Sequence, residues 1–447
     1  MARHSSTSLA SFAIAAIAVV SASPAPPRPP YDGIAYKPKP YTIYVPPSTI
    51  DQISKRVAGF RPTQGDVQSM WLEGPPNSNL SAITTFWAQE YDWTAVQSAI
   101  NSEGPHFMST VPIATKNYND TIDIHLVHRR SAQAGAIPLL MLHGWPSTSR
   151  EWRKVIPDLV TPSNSRQPAF HVVAPDIPGF GFSPAPRKPG FTRSEYGAVF
   201  VGLMQQLGYD RFGIYSTDLG WVVAMTMVED NPDQILNHIT DFYLASPNAT
   251  DVARFAANET DPEETAYING LNVFYPQHGG YSSIQSTLPL SIASALNDSP
   301  VGSLAWVYQL VYTVSDRLET TTDLITRSLL LYLPGVCGNI RSYTELFPFL
   351  DLLTSGAVHK SNVSTSVLQF GGVTSYSGLA AITYVPPTWI ERTANLTFFR
   401  RYEKGGHFPA ESEPGLVVDS IRAVFVQVAS IATDPSPSER AQMLNTR

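Results

Sequence analysis

The chain has 447 residues, room for one large α/β domain with an added lobe, and its 43% apolar against 15% charged composition excludes a disordered chain. Its net charge is −7 with no block of Lys or Arg, which argues against a nucleic-acid partner. Cys337 is the only cysteine, so no disulfide can close within the chain.

Residues 1–22 have the pattern of a secretory signal peptide. Arg3 and His4 precede an apolar run over 9–20, and Val20-Ser21-Ala22 supplies the small residues of a cleavage site. The run is shorter than the roughly 20 residues that span a bilayer, so membrane association is expected only if the segment is retained. Residues 23–38 read as a stiff Pro-rich linker. Asn-x-Ser/Thr sequons begin at Asn79, Asn119, Asn248, Asn258, Asn297, Asn362 and Asn395. With the leader, they predict a glycoprotein that is secreted or resides in the endomembrane lumen.

Residues 39–118 read as a helical lobe, with helices over 50–58 and 82–91 and aromatic anchors at Trp71, Trp87, Tyr91 and Trp93. The lobe looks too poor in strands to close a sheet itself. Over 119–247, strands at 122–128, 137–142, 170–174, 211–215 and 239–245 alternate with helices at 192–207 and 221–229. The continuous apolar run at 137–142 suits a strand buried on both faces, and the alternation implies a mostly parallel sheet covered by helices. The alternation stops over 248–366, a helical insertion rich in Leu, Tyr and Ser that reads as a cap over a site. Strands resume at 367–370 and 396–401, within a second part of the core over 367–447.

Chemistry concentrates in three short segments. Gly213-Ile214-Tyr215-Ser216-Thr217-Asp218-Leu219-Gly220 reads as a buried strand that turns tightly into a helix, with Asp218 at the tip. In an α/β-hydrolase fold this turn holds the nucleophile, ordinarily Ser. A carboxylate there suits an sp³ carbon with a strained or good leaving group, and it forms an alkyl ester on the enzyme. His143-Gly144-Trp145-Pro146 turns sharply after the 137–142 strand, so the Trp145 and Leu219 backbone N–H groups are expected to form an oxyanion hole. His407, in Lys404-Gly405-Gly406-His407-Phe408, follows the last strand, which is where this fold places its base. Each segment taken alone also has a plain reading: Asp218 as a helix cap, 143–146 as an ordinary turn, His407 as a structural histidine.

Taken together the text resembles the microsomal-type epoxide hydrolases, including their fungal members. The resemblance rests on Glu90-Tyr91-Asp92-Trp93, residues 122–128, His143-Gly144-Trp145-Pro146, Asp176-Ile177-Pro178-Gly179-Phe180-Gly181-Phe182-Ser183, Asp218, Ser299-Pro300-Val301-Gly302 and Gly405-Gly406-His407-Phe408. It implies an α/β-hydrolase fold with a mostly parallel central sheet, a helical cap and an N-terminal epoxide-hydrolase lobe. It implies hydrolysis of a small, apolar epoxide, such as a fungal secondary metabolite. It implies two cap tyrosines that protonate the epoxide oxygen, at positions matching Tyr281 and Tyr343. Neither a metal cluster nor a phosphate-cradling Gly loop stands in the sequence, so no cofactor or metal is expected.

The text also departs from that family. A carboxylate should orient His407 from about 26 residues upstream. Ala381 stands there, and 375–383 holds no acid. Ser216-Thr217 replace small glycines. One reading moves the acid's task to Asn248 or Asp251, after the strand that follows the elbow. A second makes the protein an epoxide-opening cyclase in polyketide tailoring, with Asp218 as base. A third is a catalytically impaired binding protein of the same fold.

Overall fold

Two strands, the apolar β4 (Ile137–Leu142) and the wholly buried β6 (Phe212–Ser216), stand side by side at the centre of a nine-stranded sheet. The computed structural model describes residues 37–65, 71, 73–372 and 381–433. The expected signal peptide, most of the linker and residues 373–380 lie outside the described residues.

The remaining strands are β1 (Lys39–Pro40), β2 (His106–Ala114), β3 (Asn119–Arg129), β5 (Phe170–Pro175), β7 (Ile235–Thr240), β8 (Ser364–Phe370) and β9 (Asn395–Tyr402). Their order is β1-β2-β3-β5-β4-β6-β7-β8-β9. The β1 to β3 edge runs antiparallel, and β5 to β9 are mutually parallel. Parallel strands need crossovers, and these put helices on both faces. On one face lie α5 (Arg193–Gln206), opened by a Thr192–Glu195 capping box, and α6 (Asp218–Asp230). On the other, α4 (Ile156–Val160) and the C-terminal helix Pro414–Thr433 cover β4, β5 and β8 with a second apolar cluster.

The lobe holds α1 (Pro47–Ala58), α2 (Asn77–Gln89) and α3 (Trp93–Glu103), the last capped by Asp92, which accepts from the Ala95 N–H. It is less strand-poor than its sequence suggests. β1 and β2 come from it, and β2 pairs with β3 over the whole register from His106↔Val127 to Ala114↔Asn119. The cap consists of α7 (Ala249–Ala256), α8 (Pro262–Gln277), α9 (Gly280–Thr287), α10 (Pro289–Asp298), α11 (Pro300–Val314), α12 (Thr321–Tyr332), α13 (Val336–Leu346) and α14 (Pro348–Ser355).

One boundary matters for the chemistry. The strand expected over 239–245 is β7, which ends at Thr240. There the Thr240 hydroxyl donates to Ser216 O at 2.8 Å and accepts from the Phe242 N–H at 3.2 Å. Side-chain bonding of this kind replaces the ladder and turns the chain, so Asp241 is the first residue beyond the strand.

Candidate functional site

Asp218 stands at the first turn of α6 with φ +45°, in the left-handed region where a non-glycine residue costs about 1–3 kcal/mol. Two glycines make that geometry fit. A Cβ on Gly220 would lie 2.4 Å from Leu142 O, so the helix start presses against the end of β4. A Cβ on Gly144 would lie 2.3 Å from the Asp218 Cβ, so only glycine lets the 143–146 turn pass the carboxylate. Asp218 is not its helix's N-cap; that position is Thr217.

The two expected backbone donors both reach this side chain. The Trp145 N–H donates to Asp218 Oδ1 at 2.9 Å, and the Leu219 N–H also favours the carboxylate. The turn itself is held from behind. His143 Nε2 accepts from the Ile177 N–H at 3.0 Å, and the Trp145 indole N–H donates to Asn339 Oδ1 on α13 at 3.1 Å.

The cap supplies a roof. Tyr281, on α9, stacks on Trp145 with centroids 5.4 Å apart, and Tyr343, on α13, meets Trp145 edge-on at 5.9 Å. The two tyrosine rings lie 6.0 Å apart. Burial first, and then the Asp218 charge, raises the Tyr281 phenol well above its ordinary range; burial, Tyr281 and Asp218 do the same to Tyr343. Both therefore carry their protons. His407 brings Nε2 to 3.8 Å from Asp218 Oδ2. Its loop is clamped: the His407 N–H donates to Val314 O at 3.0 Å, and the Gly405 N–H donates to Asp316 Oδ2 at 2.9 Å. Burial lowers the His407 pKa, Asp218 opposes this and Arg327 adds to it, so the ring is neutral at pH 7. Burial raises the Asp218 pKa, while His407 and the two N–H groups restrain it.

Asp218, Tyr281, Tyr343 and His407 line one cavity of about 430 Å³, whose walls carry Leu244, Leu271, Phe274, Phe347, Leu350 and Ile382. Among the described residues, no group of three or more His, Cys, Asp or Glu side chains is arranged to hold a metal ion.

The two candidates for the acid's task lie elsewhere. Asn248 and Asp251 form a capping box at the start of α7, and Asp251 is paired with Arg392 at 2.7 Å and 2.9 Å. Both are committed to that helix end, because a carboxylate beside three free N–H groups and a guanidinium is already satisfied. Ala381 falls in a short 3₁₀ turn, Ala381–Thr383. Besides Asp218, two acids line the cavity, Asp351 on α14 and, just past the end of β7, Asp241. Sequence reading missed Asp241 because the run Phe242-Tyr243-Leu244 continues the apolar pattern past the true strand end. Arg327 was also missed. From α12 this buried side chain pairs with Glu319, donates to Pro146 O at 3.2 Å and lies 4.5 Å over the Phe408 ring, tying the 143–146 turn to the His407 loop.

Known proteins resemble the chain over most of its length. Residues 38–152 match the family profile described as epoxide hydrolase N terminus, and 137–262 match that of the alpha/beta hydrolase fold. A putative epoxide hydrolase of Stigmatella aurantiaca is 27% identical over 398 residues, covering 87% of this chain and 85% of the relative. The juvenile hormone epoxide hydrolase of Manduca sexta is 28% identical over 418 residues, covering 87% and 86%. The crystal structure of the juvenile hormone epoxide hydrolase from the silkworm Bombyx mori superposes with a TM-score of 0.78 at 25% identity, covering 89% of this chain and 96% of that one.

Proposed function

The chain belongs to the epoxide hydrolase family of α/β-hydrolases, and on that premise we propose that it opens an apolar epoxide through an ester on Asp218. The observation that carries this reading is the placement of a carboxylate and two protonated phenols on one apolar cavity, with Trp145 between them.

The division of labour follows from the hydrogen bonds. Trp145 holds Asp218 Oδ1, so Oδ2 is the oxygen left to attack an epoxide carbon. As the C–O bond breaks, Tyr281 and Tyr343 donate to the developing alkoxide, which would otherwise be stranded in an apolar pocket. The product is a glycol monoester of Asp218. Oδ1 is then its carbonyl oxygen, already seated against the Trp145 N–H, with the Leu219 N–H beside the same carboxylate as a second donor for an oxyanion. Neutral His407 takes a proton from water, hydroxide adds to the Asp218 carbonyl carbon, and the diol leaves with a proton returned from the imidazolium. The apolar walls favour an apolar substrate, such as a secondary metabolite. The leader and the sequons support a secreted or lumenal glycoprotein.

A second reading, in which a substrate hydroxyl opens the epoxide and Asp218 acts as base, is favoured by the missing acid in 375–383. One experiment separates the two. A single turnover in heavy-oxygen water should place label in the Asp218 carboxylate, read by peptide mass spectrometry. Label found only in the diol would mean direct attack by water. Label in neither would mean cyclisation, and the ester route would be abandoned.

A further inference from the structure

His407 lacks the partner that its task requires. A ring that accepts a proton beside an ester needs its other nitrogen held, both to fix the tautomer and to stabilise the imidazolium. Nε2 faces Asp218, and among the described residues the ring makes no hydrogen bond. The segment where a carboxylate was expected carries none.

A carboxylate with an open valence stands on the same cavity. Asp241 follows β7, the strand next to the elbow strand, and its backbone N–H donates to Ser216 O at 3.3 Å. The neighbouring residue Phe242 meets the His407 ring edge-on at 5.7 Å, which puts the Asp241 backbone one residue from a group that touches the imidazole. Its Oδ2 accepts from the Tyr215 hydroxyl at 2.7 Å. Its Oδ1 is buried without a partner, and so is the nearby Thr217 Oγ1, which favours the carboxylate without reaching hydrogen-bonding geometry. A buried carboxylate oxygen left bare is costly, and in native structures such an atom calls for an explanation. Asn248 and Asp251, the alternatives after the same strand, are fully paired with each other and with Arg392.

We propose that Asp241 is the positioning residue for His407: its Oδ1 receives the ring N–H when the imidazole turns over, and its charge stabilises the imidazolium during hydrolysis of the Asp218 ester. The inference rests on the ester reading above and assigns a role that 375–383 cannot fill. Proton and electron accounts close without a further reactant. Water gives its proton to His407 and its hydroxide to the Asp218 carbonyl carbon, the bond to the glycol breaks, the imidazolium proton goes to the leaving oxygen, and the proton left on Asp218 restores the phenol that protonated the alkoxide in the first half. Asp241 stays ionised throughout.

Around Asp241 stand Tyr215 and Thr217 from β6 and its turn, Asp218 and Glu151, with Arg327 beyond Glu151, and His407 lines the same cavity. Burial raises Asp241 to about 7, Thr217 and Tyr215 pull it down and the Asp218 charge pushes it up. The carboxylate form therefore gains population as pH rises through neutrality, and ester hydrolysis should quicken with it while ester formation should not.

The test is Asp241→Asn, assayed with styrene oxide as a probe and followed by intact-protein mass spectrometry. The variant should form the Asp218 ester at the wild-type rate and hydrolyse it about 10³–10⁴-fold more slowly, the scale seen when the acid of such a triad loses its charge. Because kcat then reports hydrolysis and kcat/KM reports ester formation, kcat and KM should fall together with their ratio unchanged. A merely structural role would lower kcat/KM as well. Asp241→Glu, which keeps the charge, should recover part of the loss. Ester that breaks down at the wild-type rate in Asp241→Asn overturns the assignment of Asp241 alone. Failure to trap any ester on His407→Gln overturns the ester reading and this inference with it. Should Asp241→Asn not fold, the wild-type pH profile decides: hydrolysis that rises near pH 7 while ester formation stays level supports the proposal, and hydrolysis flat through neutral pH overturns it.

Discussion

Among the described residues, two histidine–carboxylate pairs stand at the ends of strands separated only by β4, and they are built in opposite ways. Asp176 follows β5. Its Oδ2 meets His125 Nδ1 at 2.7 Å and accepts from the Phe182 N–H at 2.9 Å, and its Oδ1 accepts from the Ser149 N–H at 2.7 Å. Gly181, with φ +53°, makes room, since a Cβ there would lie 2.1 Å from Oδ2. The chain continues through His125 Nε2 to His106 Nδ1 at 3.0 Å, and through His106 Nε2 to Ile100 O at 2.9 Å. A carbonyl and a carboxylate both accept, so two rings between them need three protons on four nitrogens. Burial, aided by His125, pushes His106 below its ordinary value. Asp218 and His407 are 3.8 Å apart, unbonded to each other, and the Asp218 carboxylate is held by backbone alone, with the Trp145 N–H on Oδ1 and the Leu219 N–H beside it. A carboxylate whose lone pairs are all engaged cannot attack anything. The difference in satisfaction, together with exposure (side chains 2% and 1% exposed in one pair, 16% and 14% in the other), separates the structural pair from the reactive one.

The largest expected effect comes from the reactive pair. Asp218→Asn should lower turnover by roughly four orders of magnitude or more, because an amide oxygen does not open an epoxide. The same variant should melt at a higher temperature than wild type, since the fold already disfavours the Asp218 charge and the Trp145 N–H keeps an acceptor. Loss of both activity and stability would contradict the comparison. Asp176→Asn should do the reverse. Breaking a buried pair by removing one charge costs about 3–5 kcal/mol, measured by urea unfolding, while ester formation per folded molecule should change little.

Both carboxylates were visible in the sequence, but their difference was not. Asp218, the 143–146 turn and His407 were legible because each is a local motif, in which a glycine needed for one backbone path stands beside the reacting group. Tyr281 and Tyr343 were legible only through resemblance, because nothing local separates them from the other tyrosines that pack the core. Asp241 was hidden by Phe242-Tyr243-Leu244, an apolar run that leaves the sheet to wall the cavity. Arg327 was hidden by distance, since a cap helix brings it to Pro146 from far along the chain. β2 was hidden by its Pro112, which reads against a strand although it stands opposite Thr121 of β3 near the edge of the sheet. In each case the missing information was tertiary: where a chain that could continue is turned by something distant in sequence.

The smallest effect, and the finest test of the comparison, is the sign of the acid limb. Burial alone would raise Asp176, but His125, His143 and the Phe182 N–H outweigh it and hold the carboxyl well below the ordinary carboxylate value of about 3.9. A depressed native pKa stabilises the fold above the unfolded value, and that contribution disappears as pH falls through the native one. Asp218 is raised, so between its unfolded and native values the folded chain holds a proton that the unfolded chain has released, and stability falls as pH rises through that window. Urea midpoints measured from neutral pH into acid should therefore show Asp176→Asn less stable than wild type and Asp218→Asn more stable. Both gaps should close as the pH drops and each carboxylate takes up its proton. Gaps of the same sign would mean that the Asp218 pair is as fully satisfied as the Asp176 pair, and that its place at the cavity owes nothing to unmet bonding.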